Sequence, residues 1–127
     1  RYDASSFDEA DPLLGGDKDL IALRKSAAKS NIRVMSDLTT NHCGLGHPWI
    51  QEALNNKNSD KREFFYWTKK SKWGYVGWWN VQSLPKLNFS SKKLRELIWE
   101  GENSIVKRWL REPFGMSGWR IDVGNIT

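Results

Sequence analysis

A lone cysteine, Cys43, among 127 residues excludes an intramolecular disulfide and leaves the redox compartment open. Its neighbour His42 does not make it a metal site, because two adjacent residues chelate poorly and structural metals want four ligands at set spacings. Histidine is scarce too, limited to His42 and His47. No apolar run approaches the roughly 18 residues that a membrane span needs, so no membrane partner is expected. An initiator methionine and a charged-then-apolar leader are also lacking: Arg1-Tyr2-Asp3 opens the sequence, which predicts a chain that starts inside a longer one. Any targeting signal would then lie elsewhere, and a cytoplasmic location is the default expectation. No internal repeat or low-complexity tract stands out, and no motif asks for a cofactor.

What is present is an ordinary globular composition, 39% hydrophobic and 28% charged, in a length that suits one domain at most. The net charge of +5 and the lysines of residues 69–72, set beside aromatics, permit an anionic partner. The basic residues are otherwise scattered and carry no RNA- or DNA-binding signature, so a solvated lysine face is the preferred reading and no nucleic-acid partner is expected.

Along the chain, Asp17 is a natural helix cap. Leu20, Ile21, Leu23, Ala27 and Ala28 then recur on one face up to Ser30, with Asn31 as a left-handed stop. Residues 32–38 form a β-prone run that closes on Thr39-Thr40-Asn41-His42, a buried strand delivering polar groups at its carboxyl end. Pro48 suits a first helical turn, and Trp49, Ile50, Ala53 and Leu54 follow at helical spacing. Residues 64–79 are crowded with aromatics but hold no clean period, which predicts an irregular excursion with hairpins. Ser91 is a good cap for a helix that is either long or broken at Gly101 and that ends before Pro113. In residues 118–123, alternation sets Trp119, Ile121 and Val123 on one face of a second strand and Arg120 and Asp122 on the other.

Two strands, each preceded by a helix, predict a parallel α/β arrangement with an insertion of about 45 residues between His42 and the last helix. Parallel sheets gather ligands at the carboxyl ends of their strands. Asp37, Asn41 and His42 lie at one such end, Arg120 and Asp122 at the other. A guanidinium beside Asp122 favours its ionised form, the state a nucleophile needs. An Arg and an Asp two apart on a strand are more often a plain ion pair, and a lone His is more often a satisfied one. The residues by themselves therefore give a polar pocket at two strand ends and no reaction.

Longer strings add to this. DLTTNH (37–42) resembles the strand-three motif of the α-amylase superfamily of glycoside hydrolases, and GWRIDV (118–123) its strand-four motif. LPKLN (84–88) resembles the short motif near the end of that family's inserted domain in neopullulanases and cyclomaltodextrinases. YDASSFDEADPLLGG (2–16) resembles the segment before the third barrel helix pair, and GHPWIQ (46–51) the start of the inserted domain. Three motifs in order at suitable separations identify the chain as similar to this family from end to end.

The resemblance implies an α/β fold: part of a (β/α)₈ TIM barrel holding the third and fourth strands. Residues 1–42 would end in the third strand, the Trp-rich residues 43–89 would form the inserted domain B, and residues 90–127 would supply a barrel helix and the fourth strand. It implies Asp122 as the nucleophile that forms a covalent glycosyl-enzyme and Arg120 as the guanidinium holding it ionised. His42 would donate to the sugar at the reacting subsite, and Tyr2 would stack on that sugar. Asp37 would be a buried carboxylate partnering the Arg120 network. The family's general-acid Glu follows the fifth strand and its stabilising Asp the seventh, so the 127-residue chain is expected to be inactive, and unstable, on its own.

Where calcium-binding relatives hold Ca²⁺ through the strand-three Asn, this sequence has Lys86 within LPKLN, and calcium prefers six to eight oxygen ligands. No metal is expected; the Lys86 ammonium would stand in, pinning the inserted domain to Asn41. Thr39 and Thr40 replace the more usual apolar or Gly residues. Tyr75, Trp78 and Trp79 are candidate sugar platforms, with core packing as the ordinary alternative. The implied partner is an α-glucan or maltooligosaccharide, and the implied reaction retaining hydrolysis of α-glucosidic bonds. A transglycosylase, or a catalytically inactive amylase-like binding protein, is the alternative. A self-sufficient Trp-rich module is disfavoured, since two parallel strands cannot bury their faces without neighbours.

Overall fold

A computed structural model describes residues 2–124. Expectations that fall on Arg1 and on residues 125–127 lie outside the described residues. Helices and strands alternate as α1 (Gly16–Lys29), β1 (Ser36–Thr39), α2 (Pro48–Asn55), α3 (Lys92–Arg95), α4 (Ile105–Leu110) and β2 (Trp119–Asp122). No helix among the described residues is long and apolar enough to cross a membrane. The chain forms two compact units.

One unit comprises Phe7–Leu38 and Glu96–Arg120. Its helix α1 begins one residue before the expected cap. Asp11 caps a preceding 3-10 turn, Pro12–Leu14, by accepting from Leu13 N–H, and Gly15 at φ 100° turns the chain into α1. Asp17 is thereby displaced into the first helical turn, where it accepts from Ala10 N–H at 2.8 Å, so it braces the entry rather than capping it. Asn31 ends the helix at φ 57°, as a short polar side chain tolerates.

Val34 O accepts from Ser117 N–H, and Ser36 N–H donates to Gly118 O, bonds that advance together along both chains and make β1 and β2 parallel. The strands are shorter than the sequence predicts: β1 spans only Ser36–Thr39, and Ile32 and Met35 before it are each 59% exposed, since two strands alone give a strand that reads as buried little cover. The second strand also stops short of Val123, which turns to φ 55°. In the same unit, Trp109 packs on Phe114 with ring centroids 4.5 Å apart and donates its indole N–H to Phe7 O. Arg24 ties α1 to Phe114 O at 2.8 Å and to Glu112.

The other unit is Thr39–Arg95 with the described residues before Phe7 and after Arg120. His47 caps α2 by accepting from Trp49 N–H, and Pro48 takes the first helical position. The aromatic stretch becomes two consecutive hairpins. Trp67 pairs with Tyr75, Gly77 with Pro85, and the returning strand-like segment sets Lys86 against His42 and Leu87 against Phe65, all antiparallel. Isolated bridges rather than long ladders explain why no period of two was legible. Ile50, Phe64, Tyr75, Leu87 and Leu94 close the core at 2% exposure or less. Ser91 caps α3 by accepting from Leu94 N–H, a π turn (Glu96–Glu100) continues it, and the helix breaks at Gly101, where a Cβ would lie 2.5 Å from Glu96 O.

Candidate active site

The carboxyl end of β1 delivers Thr39-Thr40-Asn41-His42, all buried. Lys86 Nζ donates to Asn41 Oδ1 at 3.3 Å, and Asn41 Nδ2 lies 3.1 Å from His42 Nδ1. An ammonium can only donate, so it holds the carboxamide oxygen toward itself and turns the NH₂ toward the imidazole. Nδ1 must then be the bare acceptor, which puts the ring proton on Nε2, 2.8 Å from Tyr2 O. Lys86 thus fixes the Asn41 orientation, Asn41 fixes the His42 tautomer, and His42 holds the Tyr2 backbone. The Tyr2 side chain stays out, with the residue 53% exposed.

This arrangement encloses His42. The ring is 1% exposed, both nitrogens are engaged, and Trp78 stacks on it at 5.1 Å and 15°. The His42 Nε2 faces the Tyr2 carbonyl. Gly44 contributes what the sequence analysis missed. Its N–H donates to Ala4 O, and a Cβ there would lie 2.2 Å from Asp3 O, so only glycine lets the Tyr2 segment pass this close. The signal available was a glycine directly after the polar strand end.

On the other unit, Arg120 Nη1 donates to Asp37 Oδ2 at 2.6 Å, joining β2 to β1. Asp37 was expected to be buried, yet its side chain is 36% exposed and that of Arg120 57%, in a sheet of only two strands among the described residues. At such exposure the pair contributes at most about 1 kcal/mol. Asp122, half-buried at the end of β2, belongs to the same compact unit as Tyr2 and His42.

Two other titratable groups are settled by burial. The Cys43 thiol is pushed up to about 12, which makes it a packing group and not a nucleophile. His47 is lowered to about 4 by the same cause and stays a neutral cap. A calcium site does not fit these residues: the Asn41 oxygen faces an ammonium, and no group of three or more His, Cys, Asp or Glu among the described residues could hold a metal. Thr40 Oγ1 is buried with no hydrogen-bond partner among the described residues.

Two parallel strands alternating with helices define an α/β protein, the class in which ligands gather at the carboxyl ends of the strands. The family model of the α-amylase catalytic domain matches residues 1–127, and the chain belongs to that family, the α-amylase superfamily of glycoside hydrolases. It is 35% identical over 121 residues to alpha-amylase 2 of Dictyoglomus thermophilum, covering 95% of this chain and 20% of that protein. To the oligo-1,6-glucosidase of Heyndrickxia coagulans it is 28% identical, covering 99% and 26%. Among solved structures, the debranching enzyme of Nostoc punctiforme matches with a TM-score of 0.87 at 30% identity over 99% of this chain and 28% of that one. The type III pullulan hydrolase of Thermococcus kodakarensis matches at 0.83 and 30%, over 98% and 22%. The chain thus spans about a fifth to a quarter of the length of the relatives it matches.

Proposed function

We propose that this chain supplies the nucleophile-bearing part of a retaining hydrolase of α-glucosidic bonds, acting on maltooligosaccharides or related α-glucans. In this reading β1 and β2 are the third and fourth strands of a (β/α)₈ barrel, and residues 43–89 are the domain inserted after the third. The observation that carries it is the family match along the whole chain, with the GWRID residues of the strand-four motif lying on and just before β2 and Arg120 bound to Asp37 on the parallel neighbour.

Asp122 attacks the anomeric carbon, and the C–O bond to the leaving sugar breaks as the covalent glycosyl-enzyme forms. The leaving oxygen needs a proton from a second carboxyl group about 5 to 5.5 Å from the first, and no residue of this chain is assigned that part. Water then releases the sugar with its configuration retained. Tyr2 stacks on the reacting ring, its backbone held by His42 and its approach permitted by Gly44. With the remaining barrel strands beside them, Arg120 and Asp37 lose their solvent exposure, and the guanidinium field at Asp122 is screened less.

The test is turnover of maltotriose by the complete catalytic domain and by its Asp122→Asn variant. A loss of at least about a thousandfold in kcat, as expected when a nucleophile is removed, supports the reading. Undiminished turnover in the variant, or none in the parent, overturns it, the latter in favour of an amylase-like binding protein.

A further inference from the structure

The inserted segment offers three aromatic residues that suit a sugar face, and the structure separates them. Tyr75 is 1% exposed and donates its hydroxyl to Gln82 O at 2.8 Å, so it belongs to the core. Trp78 is half-buried, its ring stacked on His42 and its indole nitrogen enclosed. Trp79 is 81% exposed.

Nothing in the local fold accounts for a tryptophan at position 79. Val81 N–H donates to Trp78 O at 3.0 Å and closes a turn whose two central residues, Trp79 and Asn80, both have positive φ, 50° and 58°. Such left-handed turns favour Asn and Gly, and Asn80 conforms. A bulky side chain there is disfavoured by about 1–2 kcal/mol per residue, and this one recovers little of that by burial. The turn is also built tightly: a Cβ at Gly77 would lie 2.1 Å from Val81 O, so the backbone admits only glycine at its base. Strain of this kind persists where the residue serves something other than stability.

Its place says what. Trp79 lies 5.5 Å from Trp78, which lies 5.1 Å from His42, which holds Tyr2. A run of ring contacts therefore leads from the exposed indole to His42, whose ring holds the backbone of the residue assigned to the reacting sugar. The exposed carboxamides of Asn80 and Gln82 sit beside it in the chain, donors and acceptors suited to hydroxyl groups. An apolar face rimmed by amides fits a ligand with a C–H face and a hydroxyl edge, which is a pyranose, and not a purely apolar partner.

We propose that Trp79 is a second sugar platform, stacking on a glucose unit of the α-glucan away from the bond that is broken, and so favouring longer substrates. This rests on the hydrolase reading for the identity of the sugar. It is tested in the complete catalytic domain by titrating maltoheptaose against tryptophan fluorescence and by KM measurements, for the parent, Trp79→Ala and Trp79→Tyr. Trp79→Ala is expected to weaken maltoheptaose binding and raise its KM about tenfold, or about 1.4 kcal/mol, with the aromatic Tyr restoring most of it. Unchanged affinity in Trp79→Ala overturns the proposal, as does a lowered Tm with affinity intact, which would mean that another part of the domain covers the indole. The titration needs no turnover: if Asp122→Asn still hydrolyses, the hydrolase reading falls, while the fluorescence result on Trp79 decides this proposal by itself.

Discussion

The unit built on Thr39–Arg95 and the unit holding α1 come from one sequence with one composition, yet they complete themselves to different degrees. In the first, Ile50, Phe64, Tyr75, Leu87 and Leu94 are shielded to 2% exposure or less by residues of the same short stretch. In the second, α1 has no buried residue at all, and Leu23 stands 59% exposed on the face that its periodicity marks as inward. A meander of short hairpins carries its own neighbours. A helix beside a pair of parallel strands needs neighbours from other strand-helix units. Burial is thus a property of the architecture to which a segment belongs, and an amphipathic pattern states only which side is waiting.

The sharpest way to break this contrast is a pair of truncations in the 127-residue chain. Phe64→Ala should cost about 3–5 kcal/mol, as for a buried aromatic, and abolish protection from hydrogen exchange through the hairpins, whereas Leu23→Ala should change little. If Leu23→Ala is as costly, the face of α1 is already covered and the contrast fails. In the complete catalytic domain the second variant should become costly in its turn, by about 2–5 kcal/mol, if, as the proposed barrel requires, further strand-helix units lie on it.

Next in size is a pH effect confined to the self-complete unit. His47 is 4% exposed, and burial lowers its pKa from 6.5 to about 4. Between these values the unfolded chain binds a proton that the folded chain refuses, so stability is fully present above pH 6.5 and falls as the pH drops toward 4. At 1.36 kcal/mol per pH unit the loss reaches about 3 kcal/mol. His47→Asn keeps an acceptor at the helix cap and removes the titration, so its denaturant midpoint should stay level over that range. A parallel slope in parent and variant would assign the acid sensitivity to other groups.

How far the sequence foretold the molecule follows the same division. Local signals were reliable: Pro48 opening α2, Ser91 capping α3 and Asn31 ending α1 all depend on a few adjacent residues, and of the two readings left open for the following helix, long or broken at Gly101, the broken one forms. Asp17 misled because two rival caps, Asp11 and Gly15, stand just before it and the nearer turn used them first. The exposure of Asp37 could not be read from its strand, since burial there depends on residues outside the strand pair. Of the candidate site, the Arg120–Asp37 pairing was implied by the family motifs. The commitment of His42 to the Tyr2 carbonyl was not, because nothing in a string of letters shows a contact between residues 40 positions apart.

Smallest in energy, and most specific, is the effect expected of Lys86. Asn41 is 1% exposed, so Lys86→Met leaves its oxygen a buried acceptor with one partner fewer, at a cost of about 1–3 kcal/mol. Stability alone would not distinguish this from ordinary loss of packing, but the tautomer would. Without the ammonium the carboxamide is free to rotate and offer its oxygen to His42 Nδ1, which favours the proton moving from Nε2 and releases the Tyr2 carbonyl. The ¹⁵N shifts of the His42 ring should therefore report the Nε2–H form in the parent and in Lys86→Arg, and a mixture in Lys86→Met. Added calcium should restore neither the shift nor the stability, because a single carboxamide oxygen does not approach the ligand set that the ion requires. An unaltered Nε2–H form in Lys86→Met would mean that the hairpin backbone around His42, not the lysine, sets the ring.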